Sequence, residues 1–263
     1  MRGEEGSEDL PDMTYCVGML LDTGLVFLSD SRTSAGVDQI SVFRKTYVYQ
    51  KPGERVIVVQ GSGNLAITQT VATILHDSIE GRDATYNLLN APNMFEAARC
   101  VGEALREVHR RDAAPLKEFN VDFNANLIVG GQIRGEPPRL MSVYSAGNFI
   151  EATPDTTYFQ IGESKYGKPI LDRVIRRSSS LNEAVKCALV SMDSSIRSNL
   201  SVGLPLDLVI VKRDHFAVAR HVSIDDENPY FRGIRNRWGE ALREAFAELP
   251  DPDWIVQQRE FKQ

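Results

Sequence analysis

Apolar and polar positions along this chain fall into blocks whose period switches in a regular order. From Thr14 to about Gly61 the period is that of strands. "TYCVGMLL" and "LVFLSDS" are joined by Asp22-Thr23-Gly24, a short loop with glycine available for positive φ. "ISVFRKTYVYQ" and "RVIVVQG" follow, separated by the turn "KPGE". These strands are apolar on both faces, which predicts a sheet covered on each side. Two amphipathic helices come next. In "NLAITQTVATILHDSIEG", Leu65, Thr68, Val71, Leu75 and Ile79 share one face and Gly81 supplies the stop. In "NMFEAARCVGEALREVHRR", Phe95, Ala98, Val101, Leu105 and Val108 do the same. A second strand block fills about 125–162, with "ANLIVGGQI", "PRLMSVYS", "NFIEA" and "TTYFQIG". Then come the helices "YGKPILDRVIRR" and "SLNEAVKCALVSMDSSI", the latter opening with Ser180 and Glu183 at capping-box spacing. "PLDLVIVKR" and "HFAVARHVSI" make a closing hairpin.

Strands, two helices, strands, two helices, strands: this order predicts an α+β fold in which two stacked sheets lie between helical layers. No linker rich in Gly, Pro or Ser divides the chain, so 14–224 reads as one domain. In the segment 225–263, beyond Pro229, a last amphipathic helix carries Phe231, Ile234, Trp238, Leu242 and Phe246 along one side. It either packs back on its own core or meets a neighbouring subunit.

Composition narrows the function classes. A net charge of −6 gives no electrostatic case for nucleic-acid binding. The longest apolar run, "CVGMLLDTGLVFL", is broken by Asp22, Thr23 and Gly24, so no membrane span is expected. Five acidic residues within 1–12 are unlike an export signal. Cys16, Cys100 and Cys187 form no CxxC pair and read as reduced, mostly buried side chains, which makes the cytoplasm the expected location.

The opening hairpin holds the candidate chemistry. With its loop centred on Thr23, facing positions sum to about 46, so Cys16 opposes Asp30. A slip of one or two residues still leaves Asp30 beside Thr14. Arg44 or Lys45 on the following strand could pair with that carboxylate. A Thr hydroxyl is a weak nucleophile until a base removes its proton. A free α-amine, with a reference pKa of about 7.7–8.0, lies within reach of its own side chain and can be that base. An ammonium held by a carboxylate would stabilise the developing alkoxide, and backbone N–H groups of "QGSGN" could hold an oxyanion. The condition is that Met13 is removed, so that Thr14 comes first.

"MTYCVGMLLDTGLVFLSDSRTSAGVDQISVFRK" resembles the N-terminal nucleophile (Ntn) hydrolases of the proteasome β-subunit type, and within them the bacterial Anbu branch. "DSRTSAG" and "SNLSVGLPLD" carry the resemblance most specifically. It implies a four-layer αββα sandwich with an extra C-terminal helix. It implies Thr14 as nucleophile, its amine as base, Asp30 and Lys45 as the supporting ion pair, and the Gly61 N–H as oxyanion donor. Ser164 in "GESKYG" and Ser201 in "SNLSVG" match hydroxyls that line the amine. Thr33 and Ser34 would pair with substrate laid in as an extra strand, and Thr33, Val59 and Gly63 would shape the pocket for the side chain before the cut. Two positions depart from the family pattern. Ser198 stands where proteasome subunits carry Asp, which weakens the bracing of the amine. Met13 stands where their precursors carry Gly. Residues 1–13 then read as an over-extended start or a propeptide, the former being favoured.

Taken without the resemblance, the same residues have plainer readings: a β-forming Thr, a strand-end Asp, an edge Lys snorkelling to solvent. The four histidines show no HExxH spacing and have no Cys partners, so no metal is expected. "GSGNLA" lacks the Lys-Ser/Thr of a phosphate-binding loop, and "RRSSS" reads as a solvated connection between helices. Cys16 as nucleophile would lack a terminal amine. The leading expectation is a threonine peptidase without cofactor, acting on peptide or polypeptide and assembled as a homo-oligomeric ring or open spiral. The alternatives are an amidase for a specific short peptide or small amide, and a non-catalytic scaffold subunit that keeps the fold. No motif for docking an ATPase is present.

Overall fold

The structure is a computed structural model that describes residues 14–34, 40–81, 86–252 and 254. The expectations placed on residues 1–13 and on the side chains of Thr33 and Ser34 lie outside what is described. The chain opens with β1 (Tyr15–Leu21) and β2 (Gly24–Asp30), a ribbon β3 (Arg32–Ser34) and β4 (Ile40–Val42), then β5 (Thr46–Lys51) and β6 (Arg55–Gly63). Helices α1 (Leu65–Glu80) and α2 (Met94–Glu118) follow, then β7 (Ala125–Ile133), β8 (Arg139–Val143), β9 (Phe149–Glu151) and β10 (Tyr158–Gly162). Helices α3 (Lys168–Val174) and α4 (Leu181–Ser198), strands β11 (Leu206–Lys212) and β12 (Val218–Ile224), and helix α5 (Pro229–Ala247) complete it.

Two antiparallel five-stranded sheets result, ordered β10-β1-β2-β11-β12 and β5-β6-β7-β8-β9. Strand alternation explains how they stack. In β1, Tyr15, Val17, Met19 and Leu21 pack against Ala184, Ala188 and Met192 of α4. The intervening Cys16 and Leu20 meet Val58 and Ile128 of the other sheet. That second sheet turns Ile57, Val59 and Val129 to α1 and α2 through Val71, Leu75, Val101 and Leu105. The four layers are therefore helix, sheet, sheet, helix, as the element order predicts, with the central strands covered on both faces and the edge strands β9 and β12 largely exposed.

Three local differences from the sequence reading have physical causes, while a fourth feature forms as expected. The opening hairpin pairs Cys16 with Ser29, not Asp30, because Leu21 already faces Gly24 across a two-residue loop. The apolar run 40–50 is not one strand. It breaks after Val42, leaving Phe43 and Arg44 exposed while Lys45 turns inward, a diversion that periodicity does not encode. Helix α2 continues past Arg111 to Glu118, since Pro115 removes a single N–H and Leu116 still reaches the core. The Ser180–Glu183 capping box forms in both directions.

Helix α5 does the first of the two things open to it, over its first turns. Phe231 is fully buried and Ile234 packs beside it. Asp193 of α4, itself buried, accepts from Arg235 of α5 at 2.8 Å and from Arg197 at 2.9 Å. Farther along, Leu242 and Phe246 face solvent in the isolated chain.

Candidate active site

The site gathers where three chain segments end. Thr14 sits immediately ahead of β1 and is 5% exposed. The Tyr15 N–H donates to Asp30 Oδ1 at 2.9 Å, which ties the last residue of β2 to the start of β1. Lys45 Nζ donates to the same Asp30 Oδ1 at 2.9 Å and to the Arg32 carbonyl at 2.7 Å. The Gly203 N–H reaches Asp30 Oδ2 at 3.4 Å. Both partners of the ion pair are sealed from solvent, with side-chain exposures of 4% for Lys45 and 0% for Asp30. Burial pushes the Asp30 carboxyl up to about 6, against the opposing pull of Lys45 and of the Tyr15 and Gly203 N–H groups. The hairpin arithmetic was off by one residue, yet Asp30 lies beside the start of β1 because Tyr15 is its neighbour on the adjoining strand.

On its other side Thr14 meets the end of β10. Tyr15 pairs with Gly162, and the Glu163 N–H donates to the Thr14 carbonyl at 2.6 Å. Gly162 has φ +80°, and a Cβ there would lie 2.0 Å from the Thr14 oxygen. Only glycine lets the two backbones come this close. Glu163 is buried. Its carboxylate accepts from the Lys165 N–H at 2.8 Å and from Asn199 Nδ2 at 2.8 Å, while Asn199 Oδ1 accepts from the Ser201 N–H at 2.9 Å.

The remaining expected residues are placed as follows. Ser164 is half-buried on the rim of a cleft with Tyr158, Gln160 and Lys168, and its carbonyl accepts from Lys168 N. Ser201 is half-buried in the loop after α4. Among the described residues, neither hydroxyl is hydrogen-bonded to Thr14. The residue that faces Thr14 directly is Glu163, one position before the expected serine. The sequence reading missed it by attending to the hydroxyl in "GESKYG", and the β1–β10 pairing is the signal that finds it.

Gly61 requires a correction. Its N–H, expected to be free for an oxyanion, donates to the Lys45 carbonyl at 3.0 Å within the sheet. The Asn64 N–H bonds to Asn124, on the β7 side. Strand alternation then turns the N–H of Gly63, like that of Gly61, toward the β5 side, where β5 has already ended. Gly63 is exposed and holds φ +98°. Val59 and Gly61 line a narrow pocket with Lys45, Tyr47, Tyr49 and Thr68, holding about 10 Å³, room for about one water. Cys16 is fully buried and donates to the Gly61 carbonyl at 3.6 Å, and burial raises its thiol pKa, which leaves it inert as a nucleophile. Among the described residues no group of three or more His, Cys, Asp or Glu is placed to hold a metal.

The arrangement can therefore hold a cationic side chain, fixed by a carboxylate, beside a threonine at a strand start. Comparison with known proteins bears on which family uses it. The proteasome subunit family model matches residues 14–211. The proteasome subunit beta of Haloquadratum walsbyi is 23% identical over 232 residues, 85% of each chain. Anbu (ancestral beta-subunit) from Yersinia bercovieri is 54% identical, with a TM-score of 0.85 over 91% of this chain and 98% of that one. The helical assembly of the Anbu complex from Pseudomonas aeruginosa is 48% identical, with a TM-score of 0.88 over 93% and 100%. A family match running through both sheets, and about half of its residues shared with those Anbu chains over nearly their whole length, show that this chain belongs to the proteasome subunit family, in its Anbu branch.

Proposed function

We propose that this chain is an N-terminal threonine hydrolase that cleaves peptide bonds once residues 1–13 are gone. The observation that carries the reading is the buried Asp30–Lys45 pair beside the start of β1. A buried lysine fixed at this depth has little structural reason to be there, since an apolar residue would fill the space with no desolvation cost. Beside a nucleophile it stabilises the alkoxide as it forms.

In this reading the Thr14 amine takes the proton of the Thr14 hydroxyl, and Oγ attacks the scissile carbonyl. The oxyanion is met by the Gly63 N–H, in place of the Gly61 N–H used by the sheet. Collapse expels the amine half of the peptide, which leaves with the transferred proton. Water, deprotonated by the freed amine, then hydrolyses the Thr14 ester and regenerates the enzyme. Substrate lies as an added strand along β3, at Thr33 and Ser34, with Val59 at the wall of the side-chain pocket.

The subunits work as a homo-oligomer in the cytoplasm, with no cofactor. The helical assembly of the Pseudomonas aeruginosa Anbu complex supports the oligomer. A second reading, an amidase for short peptides, is favoured by the narrowness of the Val59 pocket, which suits a small side chain. Both readings are tested by incubating the chain beginning at Thr14, and its Thr14→Ala variant, with an unfolded protein and a panel of short peptides. Hydrolysis should fall by about 10³-fold or more in the variant, and unchanged hydrolysis would remove both readings. Cleavage of the short peptides alone selects the amidase.

A further inference from the structure

Among the described residues two buried carboxylates lie beside Thr14, Asp30 and Glu163, and Asp30 alone of the two has a cationic partner. Asp30 is matched by Lys45. Glu163, 7% exposed, accepts from one backbone N–H and one amide, both neutral. None of the ion pairs among the described residues includes it. The other charged groups of this corner are engaged elsewhere. Arg32 of β3 donates to the Leu200 carbonyl at 3.2 Å, and Asp207 of β11 contacts His221 at 2.6 Å. Lys165 meets Glu163 through its backbone, not its ammonium. An ionised carboxylate so placed has lost much of its hydration and lacks the opposite charge that would offset the loss.

A chain that began at Thr14 would bring a terminal amine, able to carry a positive charge, to this corner. Thr14 and Glu163 stand opposite each other at the end of an antiparallel pair, joined by the 2.6 Å bond from Glu163 N to the Thr14 carbonyl. Opposed residues of such a pair bring their Cβ atoms to about 5 Å, within reach of a glutamate carboxylate and a terminal amine. We propose that Glu163 is the positioning residue for the α-amine of Thr14, receiving it as an ammonium when the chain begins at that residue. The inference rests on the functional reading above and adds to it. Asn199 and the Lys165 N–H hold the carboxylate, and the carboxylate holds the amine facing its own hydroxyl; the neutral fraction of the amine takes the hydroxyl proton, and the ammonium so formed is the species that Glu163 stabilises. The Glu163–Asn199 contact at 2.8 Å anchors the carboxylate from the loop after α4.

The experiment measures how readily the amine titrates. Protein is prepared with Thr14 as its first residue, either wild type or carrying Glu163→Gln or Glu163→Asp. Each is treated briefly with limiting acylating reagent across pH 6 to 10, and the labelled N-terminal peptide is quantified by mass. A nearby carboxylate favours the ammonium and raises the amine pKa, so Glu163→Gln should lower the midpoint by about one pH unit. Glu163→Asp should keep most of the wild-type value. A residue that merely staples the loop would change the melting temperature and leave the midpoint alone, and an unchanged midpoint overturns the proposal. Should Glu163→Gln fail to fold, the wild-type midpoint decides. A value above about 8 supports the proposal, and one at or below the free-peptide range of about 7.7–8.0 overturns it. Hydrolysis is not the readout, so an inactive protein leaves this result standing, whereas hydrolysis unchanged by Thr14→Ala counts against the functional reading alone.

Discussion

Lys45 and Asp30 meet at 2.9 Å in a part of the molecule that solvent does not reach, although they lie on segments that the sequence reads as ordinary strand. Fifteen residues separate them, and the chain breaks a strand after Val42 to bring the lysine inward. The same carboxylate oxygen takes the Tyr15 N–H, so the start of β1, the carboxylate and the ammonium form one linked unit. In the proposed mechanism such a unit is preorganised, needing no rearrangement as charge develops on the Thr14 oxygen.

Lys45→Met keeps the length and apolar stem of the side chain while removing its charge. Turnover that depends on Thr14 should fall by about 10²-fold or more, the scale seen when one charge-stabilising donor is lost. Steady-state kinetics on a chain beginning at Thr14 checks this, with circular dichroism to confirm the fold. Asp30 can take up a proton in the variant, so the fold should survive.

Lowering the pH should have the same effect reversibly. Asp30 titrates at about 6, above its ordinary 3.8, because burial disfavours its charged form. Below about 6 it takes a proton, Lys45 loses its counter-charge, and kcat should decline between about pH 7 and 5. The stability sign runs the other way. A carboxyl whose folded pKa is raised favours folding most at low pH, and that contribution is lost as the pH rises through about 6. Loss of turnover at pH 5 is therefore not unfolding driven by Asp30, and intact near-ultraviolet circular dichroism at pH 5 tests the distinction.

Gly162→Ala should disable the site without touching a charged group. The new Cβ would sit 2.0 Å from the Thr14 carbonyl oxygen at φ +80°, so either β10 or Thr14 must move. Backbone strain of this kind costs on the order of 1–3 kcal/mol. Chemical denaturation measures that loss, and turnover should drop far more than stability does.

These residues also mark what a single sequence gives and withholds. The four-layer order was legible because the strands are apolar on both faces and the helices on one. Asp30 was legible beside the start of β1 because a hairpin restricts which positions can meet, whereas the choice of Lys45 over Arg44 as its partner came only with the family resemblance. Glu163 was not, since its place depends on β10 pairing with β1 across more than a hundred residues of intervening chain. The use of Gly61 by the Lys45 carbonyl was hidden for a local reason: it follows from where β5 begins, which the run 40–50 does not announce.

Asp193→Ala should loosen α5. The carboxylate is buried and joins α4 to α5 through Arg197 and Arg235, both partly exposed and able to regain water when released. A loss of about 1–3 kcal/mol is expected. Limited proteolysis should then cut between α4 and α5 at a protease level that leaves the wild type whole. Apolar Leu242 and Phe246 lie on the segment freed, so oligomer size, read by light scattering, should change with it.

Catalysis as proposed requires that Thr14 begin the working protein and carry the acyl group. Intact mass of protein purified from its native cell, followed by a rapid quench with a cleavable peptide, reads both at once. The account predicts a chain starting at Thr14, and a transient adduct of one acyl group located on Thr14 by fragmentation. A native chain still bearing Met13, or turnover of the peptide with no adduct on Thr14, would contradict it.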